Sequence, residues 1–421
     1  MAKKGTYNGT FFGNFSSRLH GTPVRFGLLI GQQVEDQLGD VLFAAPTPRQ
    51  LDEDGAPTTV AKDVATLLKS STGDVSFSDW AVQHAAAVRK LLPAGLEPLG
   101  CFAVASEAAA KDLAPHLVPI LRGFKEPLVL SIDPSSRKNT FWQFATGAKP
   151  ALRPAQMKAD SYKDHVLLWT AANVDVFVQE MFSPDAIDDM ANHVTRAVAA
   201  SLKSCTTTVQ SENEGCPQVV NFQSEASLAS VAPKDCHQLK VSFFRPGSVG
   251  QGEGSVRQKC LLTSSALLLR PNMELRHAVE KLREELAESA GERLRLALEE
   301  SETPGGFLNL PWRSLFSPED LQFPVWLGDY CMPDESRDAA RERLGQLLGM
   351  QEESLEEAPK HLDEKGILDA KHCGTYGPVT LNTAESRKGD SKAKSSAVPF
   401  ALTTCVALVV VVLAVAIPQF L

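Results

Sequence analysis

Apolar and polar positions divide the chain into three regimes. Up to about residue 202, short apolar runs alternate with stretches of helical period. Residues 24–29, closed by Gly31, read as a strand, and residues 40–44 as its antiparallel partner after a polar turn. Asp79, just ahead of Trp80, is placed to cap a helix running to Leu92. Val82, Ala86, Val88 and Leu91 share most of one face of it, and Pro93-Ala94-Gly95 stops it. Residues 99–104 form a short buried strand. Ser106 caps a second helix over 107–114, which Pro115 ends. A third apolar run over 128–133 closes in the turn signal Asp133-Pro134, and residues 162–169 and 174–178 predict a further pair of strands.

The second regime begins after a polar, Ser-rich stretch, 203–236, that lacks sustained periodicity and reads as a loop or insertion. Residues 237–350 follow as a second α/β region packed on the first. Within it, Leu275, Val279, Leu282 and Leu286 fall at 4-3-4 spacing, with Glu280, Lys281, Arg283, Glu284 and Glu285 on the remaining faces. Such a helix either binds a partner or packs on its own sheet; the spacing favours the second, since the repeat fails at Gly291. Residues 351–396 turn from acidic to basic without an apolar pattern and read as a disordered linker with an average reach of about 35–40 Å.

The third regime is residues 397–417, 21 positions without a formal charge. As a helix at 1.5 Å per residue it spans about 31 Å, the thickness of a bilayer's hydrocarbon core. Its apolar members are Val398, Phe400, Leu402, Val406, Leu408, Val409, Val410, Val411, Val412, Leu413, Val415 and Ile417. At roughly 0.3–0.6 kcal/mol each, they favour insertion by about 4–7 kcal/mol. Arg387, Lys388, Lys392 and Lys394 precede the span and no charge follows it, which predicts a single-pass tail anchor with the N-terminal body in the cytoplasm. No secretory signal pattern opens the chain, so the sequons at Asn8 and Asn14 read as chance matches.

A net charge of -9 and the lack of a basic stripe with interleaved aromatics argue against a nucleic-acid partner. Eight cysteines without a C-x-x-C pair suit a reducing compartment. His116, His165, His193 and His237 stand isolated. Gly250 to Gly254 mimics a phosphate loop without its framing strand and helix, and Cys260, Ser264 and Ser265 lack a visible base. The residues themselves imply no cofactor.

Several short motifs carry a resemblance. Gly27-Leu28-Leu29-Ile30-Gly31-Gln32, then Trp80-Ala81-Val82-Gln83-His84 leading to Leu91-Leu92-Pro93-Ala94-Gly95-Leu96 and Leu99-Gly100, are similar to the odorant response abnormal protein 4 family. Leu310-Pro311-Trp312-Arg313, Gly328-Asp329-Tyr330 and Pro333-Asp334-Glu335 resemble its second half. That family in turn looks like the MPN fold of metal-dependent deubiquitinases, which implies an α/β (α+β) body, a mixed sheet with flanking helices. Active members hold zinc through H-x-H and a downstream carboxylate. Here the two histidines would fall at Ala103 and Ala105 and the carboxylate near Pro119, so the resemblance implies a body that binds no metal.

The expectation is therefore a non-enzymatic adaptor on the endoplasmic reticulum membrane. What the resemblance implies as partner is the cysteine protease specific for the ubiquitin-fold modifier, held as a heterodimer through MPN-like modules. Two further readings are a folding and trafficking factor for polytopic receptors and a cryptic hydrolase.

Overall fold

Two elements precede the first predicted strand: β1 (Lys4–Asn8) and α1 (Gly9–Arg18). Asn8 is 1% exposed and its side chain accepts the Phe11 N–H at 3.1 Å, so the first sequon asparagine is a helix cap. From α1, Phe11, Phe12 and Phe15 pack against Phe43, Phe102 and Phe141 as ring pairs. In this computed structural model, residues 3–19, 25–34, 37–50, 61–72, 75–147, 149–162, 166–178, 187–211, 238–244, 256–268, 275–300, 310–321, 323 and 325–358 are described. Among them no helix is long and apolar enough to cross a membrane; residues 397–417 lie outside the described residues.

The predicted hairpin is present as β2 (Phe26–Gln32) and β3 (Asp40–Pro46), antiparallel with a shift between Ile30 and Gly31. After α2 (Val64–Leu68) and the two-residue strands β4 (Ser71–Thr72) and β5 (Val75–Ser76) comes α3 (Phe77–Leu91). Its cap is Ser76, which accepts the Asp79 N–H at 3.1 Å, rather than Asp79, because the helix starts one turn earlier than the apolar period suggests. Next come β6 (Leu96–Val104), α4 (Glu107–Asp112) capped by Ser106 as expected, and α5 (Ala114–Leu121). Pro115 occupies the first turn of α5: it starts a helix instead of ending one, since a first-turn residue has no N–H bond to lose.

The sheet continues with β7 (Leu128–Ile132), β8 (Asn139–Ala145), β9 (Ala151–Pro154) and β10 (Gln156–Asp160), in the order β10-β1-β3-β2-β6-β7-β8-β9. β9 and β10 are parted by Ala155 alone yet stand at opposite ends of that order. The sheet therefore curls until one run of chain bonds to β8 at its start and to β1 at its end, which leaves few edge groups unpaired. One core cluster gathers around Phe12, Phe43 and Phe102, and a second around Phe26, Phe77, Cys101 and Trp142.

A four-stranded sheet follows, built from β11 (Val166–Val178), β12 (Thr206–Ser211), β13 (Gln238–Phe244) and β14 (Val256–Leu268) in the order β12-β13-β11-β14. The expected pair of strands at 162–169 and 174–178 is one strand, β11, paired with β14 in unbroken register from Val166↔Leu268 to Val178↔Val256. The weakly apolar residues 170–173 looked like a break, but backbone ladders do not require apolar side chains. β12 likewise lies inside the stretch read as a loop, and its pairing with β13 supplies the order that composition hid. Alternate residues of β11 serve two cores. Leu167 and Trp169 join the first cluster, while Val166, Leu168 and Ala172 meet α6 (Ile187–Lys203) and α7 (Leu275–Glu300).

Leu275, Val279, Leu282 and Leu286 are all at most 1% exposed, so this face of α7 is spent on its own sheet rather than on a partner. Gly291 does not end the helix. A Cβ there would sit 2.1 Å from Thr195 Oγ1 and 2.9 Å from the Ala191 carbonyl, so the missing side chain is what lets α6 and α7 cross closely.

Finally, β15 (Trp312–Pro318), β16 (Leu327–Cys331), α8 (Arg337–Leu348) and β17 (Leu355–Glu357) form a small sheet ordered β16-β15-β17 with its helix; Leu315, Phe316, Leu327, Leu344 and Leu348 enter the first core. The start of the predicted linker, residues 351–358, is thus part of the body. Glu357 pairs with both Arg337 and Arg341, and Leu355 is 3% exposed.

Candidate functional site

Where the curled sheet, the second sheet's helices and β15–β16 meet, they leave a cleft of about 1040 Å³. One wall is the end of β2 with Gln32 and the turn Pro93-Ala94-Gly95, closed by the Leu96 N–H bonded to the Pro93 carbonyl at 3.1 Å. Gly95 has φ of +85°, a backbone state other residues adopt at a cost. The opposite wall is α6 and α7, and Arg313 and Tyr330 contribute from β15 and β16. Lys90 of α3 reaches Glu292 of α7 at 2.8 Å and ties the walls together.

The deepest groups form a polar chain. Arg313, 2% exposed, pairs through Nη1 with Glu285 and lies over the Tyr330 ring at 5.9 Å, while Tyr330 Oη and Ser289 Oγ are 2.9 Å apart. Burial raises the Tyr330 phenol above its ordinary pKa. Beside it, Asp329 accepts from Arg343 Nε at 2.9 Å, and burial still lifts its carboxyl above the usual range. Sequence reading placed Glu285 on the solvated side of α7. Only its position opposite Arg313 reverses that, and the signal lay in the apolar Leu310-Pro311-Trp312 run that carries Arg313 inward.

The residues that carry the family resemblance therefore separate into two groups. Gln32, Leu92, Pro93, Ala94, Gly95, Leu96, Arg313 and Tyr330 line the cleft. The others shape the fold. Leu28 and Leu29 are fully buried, and Gly27, Gly31 and Gly100 each lie where a Cβ would come within 2.3 Å of a neighbouring backbone oxygen. Trp80 Nε1 donates to the Pro48 carbonyl at 2.9 Å, and Asp329 holds Arg343.

His84 locks α3 to the end of α8. Its Nε2 lies 2.7 Å from the Leu347 carbonyl, which can only accept, so Nε2 carries the proton and Nδ1 faces the Thr47 hydroxyl at 3.3 Å. Burial lowers its pKa from 6.5 to about 4. Between those values the unfolded chain takes up a proton that the folded chain refuses. Stability is thus fully present above pH 6.5 and falls toward pH 4 by roughly 3 kcal/mol. Urea midpoints measured across that window should drop for the natural chain and stay flatter for His84→Gln.

The metal positions implied by the MPN resemblance do not fit a metal. Ala103 is 0% and Ala105 9% exposed, both methyls packed in the cluster of Phe26, Phe77 and Cys101, and Pro119 lies within α5. Among the described residues no group of three or more His, Cys, Asp or Glu is placed to hold an ion. Cys101 and Cys331 are buried; burial pushes both thiols up, that of Cys331 to about 11, which leaves little thiolate at neutral pH. His193 bonds the Asp189 carbonyl within α6, and Ser264 is buried in β14. His165, His237, the 250–254 loop and the span residues Val398 to Ile417 lie outside the described residues.

Comparison with known proteins gives one family. The model of the odorant response abnormal 4-like family matches residues 27–357. No curated protein matches. Among solved structures, a crystal structure of UfSP from C. elegans aligns at 8% identity with a TM-score of 0.44, over 82% of this chain and 56% of that one. The chain thus spans little more than half the length of that structure.

Proposed function

Because the chain belongs to the odorant response abnormal 4-like family, we propose that it is a non-enzymatic adaptor with an MPN-like body, which residues 397–417 hold at the cytoplasmic face of the endoplasmic reticulum membrane. Its cargo in this reading is the cysteine protease specific for the ubiquitin-fold modifier. The observation that carries the proposal is the conjunction of that family match with a span of bilayer length that contains no charge.

Two features support the adaptor over an enzyme. The hairpin, helix and central strand occur in the order an MPN body requires, and the positions that the resemblance gives to zinc ligands are the buried alanines Ala103 and Ala105. The benefit of such a chain is concentration. Confining a protease within about 40 Å of membrane-bound conjugates raises its effective concentration toward the millimolar range without any catalytic group on the tether.

The test is co-purification. From detergent extracts the full-length chain should bring down the protease, and cells lacking the chain should lose the protease from the membrane fraction. Retention of the protease on membranes in those cells overturns the proposal.

A further inference from the structure

We propose that the end of the curled sheet where β1, β7 and β9 begin docks on anionic lipid headgroups of the bilayer that residues 397–417 enter. Docking depends on the anchor of the adaptor reading, and the experiment below separates failure of the one from failure of the other.

The strand ladder collects cations at this end. Leu128, at the start of β7, stands opposite Gln143 of β8, and Gln143 opposite Arg153 of β9, so the three form a row about 10 Å across. Arg122 and Lys125 lie on the segment between α5 and β7, which the Phe144 N–H ties to β8 through the Pro127 carbonyl at 2.9 Å. Lys149 lies on the connection from β8 to β9. Lys3 reaches Glu126 of the first segment at 2.5 Å, which brings the start of β1, with Lys4, alongside.

The starts of these strands and the connections into them thus carry six cations and one described carboxylate, Glu126, which Lys3 already holds. Lys4, Arg122, Lys125, Lys149 and Arg153 are exposed, and none has an ion pair among the described residues. Counting Glu35 and Asp36 as well, which follow β2 and lie outside the described residues, leaves six cations against three carboxylates. Glu97, at the start of β6, belongs to the cleft, where it acts on Lys281. On a chain of net charge -9, this surplus is local.

The path of the chain is a second, independent observation. β17 runs antiparallel to β15, from Leu355 opposite Pro318 to Glu357 opposite Phe316, and the Ala358 N–H donates to the Leu315 carbonyl at 3.0 Å. The chain therefore leaves the body in the direction of Arg313, which meets the end of β2 and the start of β6 in the cleft. β7 runs parallel to β6, and β1 parallel to β3, whose Asp40 stands opposite Gln32 at the end of β2. The exit thus points to the end of the sheet that carries the cations. From Ala358, 38 residues lead to the span, an average reach of about 31–37 Å at coil scaling. A bilayer held that close on that side presents its headgroups to the cations, and anionic lipids attract lysine and arginine within a Debye length of their surface. The tether raises the effective concentration, so a few such contacts suffice.

The full-length chain is reconstituted into nanodiscs of phosphatidylcholine alone, or with roughly one-third phosphatidylserine, and acetylation of each lysine by an N-hydroxysuccinimide ester is followed by mass spectrometry. On anionic discs Lys4, Lys125 and Lys149 should react at least fivefold more slowly than on neutral discs, while Lys62 and Lys69, exposed on either side of α2, should change less than twofold. In Arg122→Gln/Lys125→Gln/Arg153→Gln, which alters exposed positions only, Lys4 and Lys149 should return to within twofold of their neutral-disc rates.

Equal rates on the two discs, protection that extends to Lys62 and Lys69, or protection that survives in the variant overturns the proposal and leaves the anchor standing. A chain that enters neither disc overturns the anchor and the docking together.

Discussion

Replacing Gly100 by alanine should cost roughly 4 kcal/mol or more, among the largest effects a single methyl can have. A Cβ at this position would lie 1.8 Å from the Leu128 carbonyl oxygen and 2.7 Å from the Leu128 backbone nitrogen. Those are backbone atoms of β7, the parallel neighbour of β6, and Gly100 stands directly opposite Leu128 in the ladder. On its other side Gly100 faces Leu29, beside the register shift of the β2–β6 pair. The added methyl cannot rotate away, so β6 and β7 must part at the centre of the curled sheet. Gly13, in contrast, has no atom within 4 Å of a built Cβ and lies in α1, where alanine should stabilise by about 0.5–1 kcal/mol. Denaturation of the two variants side by side checks both signs, and comparable midpoints would refute the account of β6.

Arg313→Ala should cost about 3–5 kcal/mol, because it removes one partner of an ion pair held in a poorly solvated site. The side chain of Arg313 is 3% exposed and that of Glu285 15%, so water can compensate little. This pair joins α7, which packs on the second sheet, to β15, whose apolar side chains enter the first core. Breaking it should loosen the floor of the cleft as well as the fold. Arg313→Met/Glu285→Met removes both charges together and should recover part of the stability lost in Arg313→Ala. Equal losses in the single and double variants would assign the effect to packing instead.

Much of the fold could be read from periodicity. The β2–β3 hairpin, β6, α4, β7 and the apolar stripe of α7 all follow from local rules: alternation or 3.6-residue spacing bounded by glycine, proline or a capping serine; α3 was legible as a helix, but Val82 and Ala86 are exposed and Ala81 and His84 are buried with Val88 and Leu91. Three of the misreadings share one cause. β11 passes through residues 170–173 without an apolar signal, β12 is a Thr-rich strand in a Ser-rich stretch, and Gly291 sits inside a helix. In each case the stabilising partner is distant in sequence: β14 for β11, β13 for β12, and Thr195 with Ala191 for Gly291. Asn8 differs from them, since the N–H it caps, that of Phe11, is only three residues on. It is a glycosylation match in the linear chain and a buried helix cap in the folded one.

The cleft was legible only in fragments. Gln32, Pro93, Gly95 and Tyr330 belong to recognisable motifs, yet nothing in their spacing says that they converge. Lys4, Arg122, Lys125, Lys149 and Arg153 carry no motif, and only the strand order sets them at one end of the curled sheet.

Sequence alone was sufficient for whatever depends on neighbours within a turn or two: the α/β character, the uncharged run at 397–417 and the family motifs. Tertiary structure decided which polar groups are buried, which strands share a sheet, and that separated cations stand at one end of the curled sheet. The physical reason is that burial and charge pairing depend on distance through space, and a chain that curls its sheet until β9 and β10 stand at opposite edges brings together residues that no local pattern connects.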